Sequence, residues 1–147
     1  GEHVAVLQGL DGRKMSKSYG NTIPLFGTPK QLQKSINKIK TNLLEPGEPK
    51  NPEESTVFQI WSAFATEAER ERMYADFEGG IGWGDAKKQL FELVNGELSE
   101  ARERYHELMA QPAQVEDVLQ AGAERLRPKS KALLEQVRDA VGLRAYA

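Results

Sequence analysis

The residues best suited to chemistry stand in one short run near the N-terminus, Gly12-Arg13-Lys14-Met15-Ser16-Lys17-Ser18. The run and its flanks offer three cations, two hydroxyls and backbone N–H donors beside Gly12 and Gly20. These are the groups that a polyphosphate needs: positive charge, hydrogen-bond donors and backbone open to close approach. The same composition also suits an exposed basic turn, because Lys and Ser are common at protein surfaces. Other candidates are weaker. Gly79, Gly80, Gly82 and Gly84 lack the dinucleotide-binding spacing, follow no strand and read as turn glycines. Glu67, Glu69 and Glu71 fall at alternate helical positions and do not converge as an acid–base pair. The chain has no cysteine and only two histidines, His3 and His106, so thiolate zinc sites and cysteine nucleophiles are excluded and no metal site is expected.

The frame that must position this run is about one domain in size, 147 residues and 16.4 kDa. With 29% of residues charged and 39% hydrophobic, disorder over the whole length is excluded. The formal charge of -2 conceals an asymmetry. Residues 1–50 carry eight Lys or Arg against four Asp or Glu, net +4, whereas residues 51–147 carry twelve against eighteen, net -6. A phosphate-bearing partner is therefore expected at the basic third. No apolar run approaches the roughly 18 residues of a membrane span, and no signal-peptide order is present, so a cytoplasmic protein without membrane contact is expected.

Residues 1–10 hold the only β-like run, with Val4, Val6 and Leu7 suited to a buried strand. That strand is either an edge remnant or the last member of a sheet lying outside this sequence. Residues 11–27 read as a loop. Helical patterns follow. Thr28-Pro29-Lys30-Gln31 fits a capping box, and Leu32, Ile36, Ile39 and Leu43 make an inward stripe away from Lys30, Lys34 and Lys38. Three prolines, Pro46, Pro49 and Pro52, force a connector. Val57, Phe58, Trp61 and Phe64 mark a buried helix over residues 55–65. Thr66 to Glu69 repeats the capping box for a helix that buries Met73, Tyr74 and Phe77 and stops at Gly79-Gly80. Asp85 is the expected N-cap of a long helix with Leu90, Val94, Leu98, Ala101, Tyr105 and Leu108 on one face. Gln111-Pro112 restarts the chain with Val115, Val118 and Leu119 inward. Pro128 then either kinks that helix or opens a final one carrying Leu133, Leu134, Val137 and Val141, with Gly142 at its C-terminal cap. The expected fold is all-α, a bundle of five to six antiparallel helices preceded by a short N-terminal strand.

Lys14-Met15-Ser16-Lys17-Ser18 matches the Lys-Met-Ser-Lys-Ser signature of class I aminoacyl-tRNA synthetases. Its surroundings resemble the bacterial tryptophanyl-tRNA synthetases: Gly9-Leu10-Asp11-Gly12-Arg13 before it, Tyr19-Gly20-Asn21-Thr22-Ile23-Pro24-Leu25 after it, and Gly82-Trp83-Gly84-Asp85-Ala86-Lys87-Lys88 further on. Ala101-Arg102-Glu103-Arg104-Tyr105 and the terminal Val137 to Leu143 are similar as well. Lys40-Thr41-Asn42 departs from the Thr-Asp-Ser often found in that family.

The resemblance implies activation of L-tryptophan by ATP and transfer to tRNA(Trp), with Mg²⁺ as the counter-ion of ATP. It implies an ATP-binding set of Lys14, Met15, Ser16, Lys17 and Ser18. Charge that builds on the departing pyrophosphate calls for a mobile cation, a role that falls first to Lys17 and then to Lys14. It also implies that residues 1–27 are the end of a Rossmann-type catalytic domain and residues 28–147 a helical anticodon-binding domain. Lys87 and Lys88 at a helix start, and Arg125, Arg127, Lys129 and Lys131 around Pro128, would then contact tRNA, or would simply be solvated helix ends. Trp83 either stacks on a base or plugs its turn onto the core. The His-Ile-Gly-His signature and the amino-acid pocket are absent, so the segment by itself should be inactive. The intact enzyme is expected to be a homodimer whose interface lies mainly on the absent domain, so the segment is expected to be monomeric. Two alternatives stand beside this one, a tyrosine-specific relative and a free-standing synthetase-like tRNA-binding module.

Overall fold

The computed structural model describes residues 6–143. Five α-helices carry the fold: α1 (Pro29–Asn37), α2 (Thr56–Phe64), α3 (Glu67–Glu78), α4 (Trp83–Ala110) and α5 (Pro112–Ala140), with single 3-10 turns at Lys17–Tyr19 and Pro52–Glu54. The helix starts follow local chemistry. Both capping boxes close: Thr28 accepts from the Gln31 N–H while the Gln31 side chain accepts from the Thr28 N–H, and Thr66 and Glu69 do the same at α3. Ser55 caps α2 by accepting from the Phe58 N–H.

One core unites Leu32 and Ile36 of α1, Ile39 after it, Val57, Phe58, Ile60 and Trp61 of α2, Met73 and Phe77 of α3, and Ala86, Leu90 and Val94 of α4. The polypeptide divides into two compact units, one through Glu103 and a second from Arg104 onward. The core belongs to the first. At the α3–α4 turn, Gly80 has φ +84°, and a Cβ there would lie 2.5 Å from the Gly47 carbonyl carbon. The Gly47 N–H donates to the Gly80 carbonyl at 2.8 Å, so the two backbones cannot separate cheaply. Gly80→Ala is therefore expected to destabilise the fold by about 2–3 kcal/mol, read by chemical denaturation.

Several expectations need correction. Helix α1 ends at Asn37, short of Leu43, which is 97% exposed rather than inward. The Lys40 N–H leaves the helical ladder to donate to the Leu10 carbonyl at 2.9 Å, drawing the chain toward the N-terminal loop. Helix α4 starts at Trp83, with Asp85 inside its first turn rather than at the cap, because the Ala86 N–H already bonds the Gly82 carbonyl. Of the two expectations for Pro128, the opening of a final helix does not hold, because the residue lies inside α5. That helix is solvent-exposed at this point, so water can meet the carbonyl that the proline leaves unbonded. Val115, Val118, Leu119, Leu133, Leu134, Val137 and Val141, expected inward, are all exposed, as are Ala101 and Tyr105 of α4. Among the described residues the expected strand is reduced to one antiparallel bridge between Gln8 and Lys14. Val6 and Leu7 are exposed, and Val4 lies outside the described residues.

Candidate functional site

The lysine-serine run sits on a hydrogen-bonded hairpin. The Gly9 N–H donates to the Arg13 carbonyl at 2.7 Å, the Gly12 N–H to the Gly9 carbonyl at 3.0 Å and the Met15 N–H to the Leu7 carbonyl at 2.9 Å. Beyond Met15 the chain makes its 3-10 turn, in which the Tyr19 N–H bonds the Ser16 carbonyl and the Gly20 N–H the Lys17 carbonyl. The hairpin is tied to the helices. The Leu10 carbonyl accepts from Lys40, the Thr56 hydroxyl lies 2.6 Å from Gln8 Oε1, and Leu10 and Ile23 pack on the core.

The three cations of the run differ in availability. Arg13 is occupied: its Nε and Nη2 reach the Asp11 carboxylate at 2.7 and 2.6 Å, and its guanidinium lies 4.5 Å from the centre of the Tyr19 ring. Lys14 and Lys17 are exposed, and neither ammonium has an ion pair or side-chain hydrogen bond among the described residues. Ser18 is exposed and its hydroxyl lies 2.8 Å from that of Ser16, while Ser16 and Met15 are half-buried. The arrangement presents, on one loop, two cations without a partner among the described residues and two hydroxyls, which suits an exposed polyanion. Two residues outside the run fix its base. Asn21 bonds Asp11, Lys14 and Ser16, and the hydrogen bond from Asn21, followed by those from Arg13, lowers the Asp11 carboxyl to about 2. Asp11 therefore stays ionised across the neutral range.

The basic residues placed elsewhere by the sequence have different surroundings. The Lys87 ammonium donates to the carbonyls of Asn37 and Ile39 at 3.0 and 2.7 Å, just where α1 ends, and burial lowers its pKa. It serves as a lysine cap on a helix C-terminus. Lys87→Met should cost about 1 kcal/mol in thermal unfolding by leaving those carbonyls without their donor. Lys88 is exposed in the same unit, whereas Arg125, Arg127, Lys129 and Lys131 are exposed on α5 in the second. Arg125 and Lys129 share a helical face at i, i+4, and Arg127 lies off it. Trp83 plugs its turn: its indole N–H donates to Asn42 Oδ1 at 3.1 Å and its ring meets Phe77 edge-on at 5.6 Å.

Buried polar side chains are what sequence reasoning missed. Asn21 is one. Lys50 is another, its ammonium donating to the Glu45 and Glu48 carbonyls at 2.9 Å each and lying 5.5 Å from the Trp83 ring. Arg102 is also buried, bonded through Nη1 to Asn95. A Lys in a Pro-Gly-Glu-Pro turn and an Arg on a charged helix carry no local signal of burial. No group of three His, Asp or Glu able to hold a metal stands among the described residues, and no helix there is long and apolar enough to cross a membrane.

The family described as tRNA synthetases class I (W and Y) matches residues 3–99. A tryptophan–tRNA ligase of Neisseria meningitidis is 56% identical over 143 residues, 97% of this chain and 43% of that protein. One from Pseudomonas putida is 49% identical over 145 residues, 99% of this chain and 32% of that protein. The crystal structure of tryptophanyl-tRNA synthetase from Campylobacter jejuni, complexed with ADP and tryptophan, superimposes with a TM-score of 0.90 at 38% identity, covering 97% of this chain and 45% of that one. The chain thus spans less than half the length of these relatives.

Proposed function

From the premise that this chain belongs to the class I tRNA synthetases of the W and Y family, we propose that it is the C-terminal part of a tryptophan–tRNA ligase. In the full-length protein, L-tryptophan's carboxylate attacks the α-phosphorus of ATP, giving tryptophanyl-adenylate and pyrophosphate, and the aminoacyl group then passes to tRNA(Trp). The observation that carries this reading is the pair of exposed ammonium groups of Lys14 and Lys17, without a partner among the described residues, on a loop whose base is pinned. Negative charge accumulates on the departing pyrophosphate, and cations that reach it best in the transition state lower the barrier. Lys17 takes that role, assisted by Lys14. The Ser16 and Ser18 hydroxyls donate to phosphate oxygens, and half-buried Met15 anchors the loop. Magnesium enters on the phosphates of ATP as part of the substrate.

Residues 1–27 are assigned to the end of the catalytic domain and residues 28–147 to the anticodon-binding domain. Exposed Lys88, Arg125, Arg127 and Lys129 are the proposed tRNA contacts, while the Lys87 ammonium is held by the Asn37 and Ile39 carbonyls at the end of α1. A cytoplasmic homodimer is the proposed working form of the full-length protein. Specificity for tryptophan rests on the relatives, which are tryptophan–tRNA ligases. Charging of tRNA(Trp) with labelled amino acid tests it: the full-length protein should attach tryptophan and leave tyrosine free, and tyrosine attachment would overturn the assignment.

A further inference from the structure

Asn21 lies outside the lysine-serine run, is 3% exposed, and uses almost every bond its side chain can make. Its Nδ2 donates to Asp11 Oδ1 at 2.7 Å and to the Lys14 carbonyl at 3.2 Å, and its Oδ1 accepts from the Ser16 N–H at 2.8 Å. Its own carbonyl accepts from the Leu10 N–H at 3.0 Å. We propose that Asn21 is a positioning residue for adenylate formation, a clasp that fixes the backbone of Lys14 and Ser16 so that Lys17 starts its turn where the triphosphate must lie. This rests on the reading of the loop as the ATP-binding element.

The chemistry of the site asks for an asparagine. Two donors and one acceptor are needed within a short reach. Aspartate has the size but no donor, and would set a second carboxylate against Asp11. Alanine would leave the Ser16 N–H and the Lys14 carbonyl without their partner. The packing is equally particular: a Cβ on Gly9 would come within 2.4 Å of Asn21 Cγ and Nδ2, so only glycine leaves room for the clasp. On the far side Asp11 is itself held by Arg13, and Leu10 by Lys40. Asn21 thus joins the backbone of Lys14 and Ser16 to a hairpin that Lys40, Thr56, Leu10 and Ile23 tie to the helices, which makes the position of Lys17 sensitive to this buried side chain.

The test is ATP–pyrophosphate exchange by the full-length protein, with Lys17→Ala measured alongside. Asn21→Ala should lower kcat on the order of 100-fold, the penalty of a reacting group displaced by about 1 Å, and leave KM for tryptophan within about twofold. Asn21→Asp should lose as much. The double variant Asp11→Asn with Asn21→Asp, which reverses donor and acceptor between the two side chains and leaves the Lys14 carbonyl without its donor, should regain about tenfold over Asn21→Asp. If Asn21→Ala does not fold, that pair carries the test. Unchanged kcat in Asn21→Ala with a depressed Lys17→Ala would overturn the clasp and leave the functional reading standing. An equal loss of kcat and tryptophan affinity with no recovery in the double variant would show a merely structural role and overturn it too. An unaffected Lys17→Ala would remove the functional reading and the clasp together.

Discussion

Lys17→Ala in the full-length protein is expected to slow adenylate formation by about 2–4 kcal/mol of transition-state stabilisation, roughly 30- to 900-fold in rate. The loss should fall on kcat, because the charge that Lys17 meets is greatest as pyrophosphate departs and weaker in bound ATP. Tryptophan affinity should change little, since the role proposed for Lys17 is toward the phosphates of ATP. Stability should be unaffected: Lys17 is exposed and its ammonium has no partner among the described residues. Single-turnover formation of the adenylate, followed beside a thermal melt, separates these effects. An unchanged rate, or a fall matched by a lower melting temperature, would refute the role given to this residue.

Phe77→Ala should be the most damaging single change to the fold, about 3–5 kcal/mol. The ring is fully buried where α2, α3 and the start of α4 meet, with edge contacts to Phe58 and Trp83 at 5.6 Å each. Truncation removes the buried area and leaves a void whose walls are other large rings, which cannot all collapse into it. The residue's backbone, which alanine keeps, marks the same junction. Its carbonyl accepts the N–H groups of Lys50 and Gly80, so the connector and the glycine turn are organised around the same point. For a chain of this size the loss corresponds to a melting temperature lower by roughly 6–20 °C, read by calorimetry. A change below about 1 kcal/mol would mean that the three helices do not share one core.

What could be read from the sequence was local. Thr28 with Gln31 and Thr66 with Glu69 announce their helices because a capping box is complete within four residues. Leu32, Ile36 and Ile39, and the aromatic run from Phe58 to Trp61, announce the core because helical periodicity is a property of the segment itself. Lys14 to Ser18 is equally legible, its groups being contiguous. The failures depend on distant partners. Leu43 continues the α1 stripe on paper, but Leu10, 30 residues before Lys40, takes the next backbone N–H. Lys87 looks like a free cation at a helix start, yet carbonyls about 50 residues away occupy it. The stripe along α5 shows which face is apolar and not whether anything covers it. Asn21 is one polar residue among many in a loop, and only the folded hairpin brings Asp11, Lys14 and Ser16 to its side chain.

The most direct measurement is amino-acid-dependent ATP–pyrophosphate exchange, run on the full-length protein and on residues 1–147 with tryptophan, with tyrosine and with no amino acid. The expected result is exchange by the full-length protein with tryptophan alone and none by the 147-residue segment. Exchange driven by tyrosine, or by neither amino acid, would contradict the assignment of this loop to tryptophan activation.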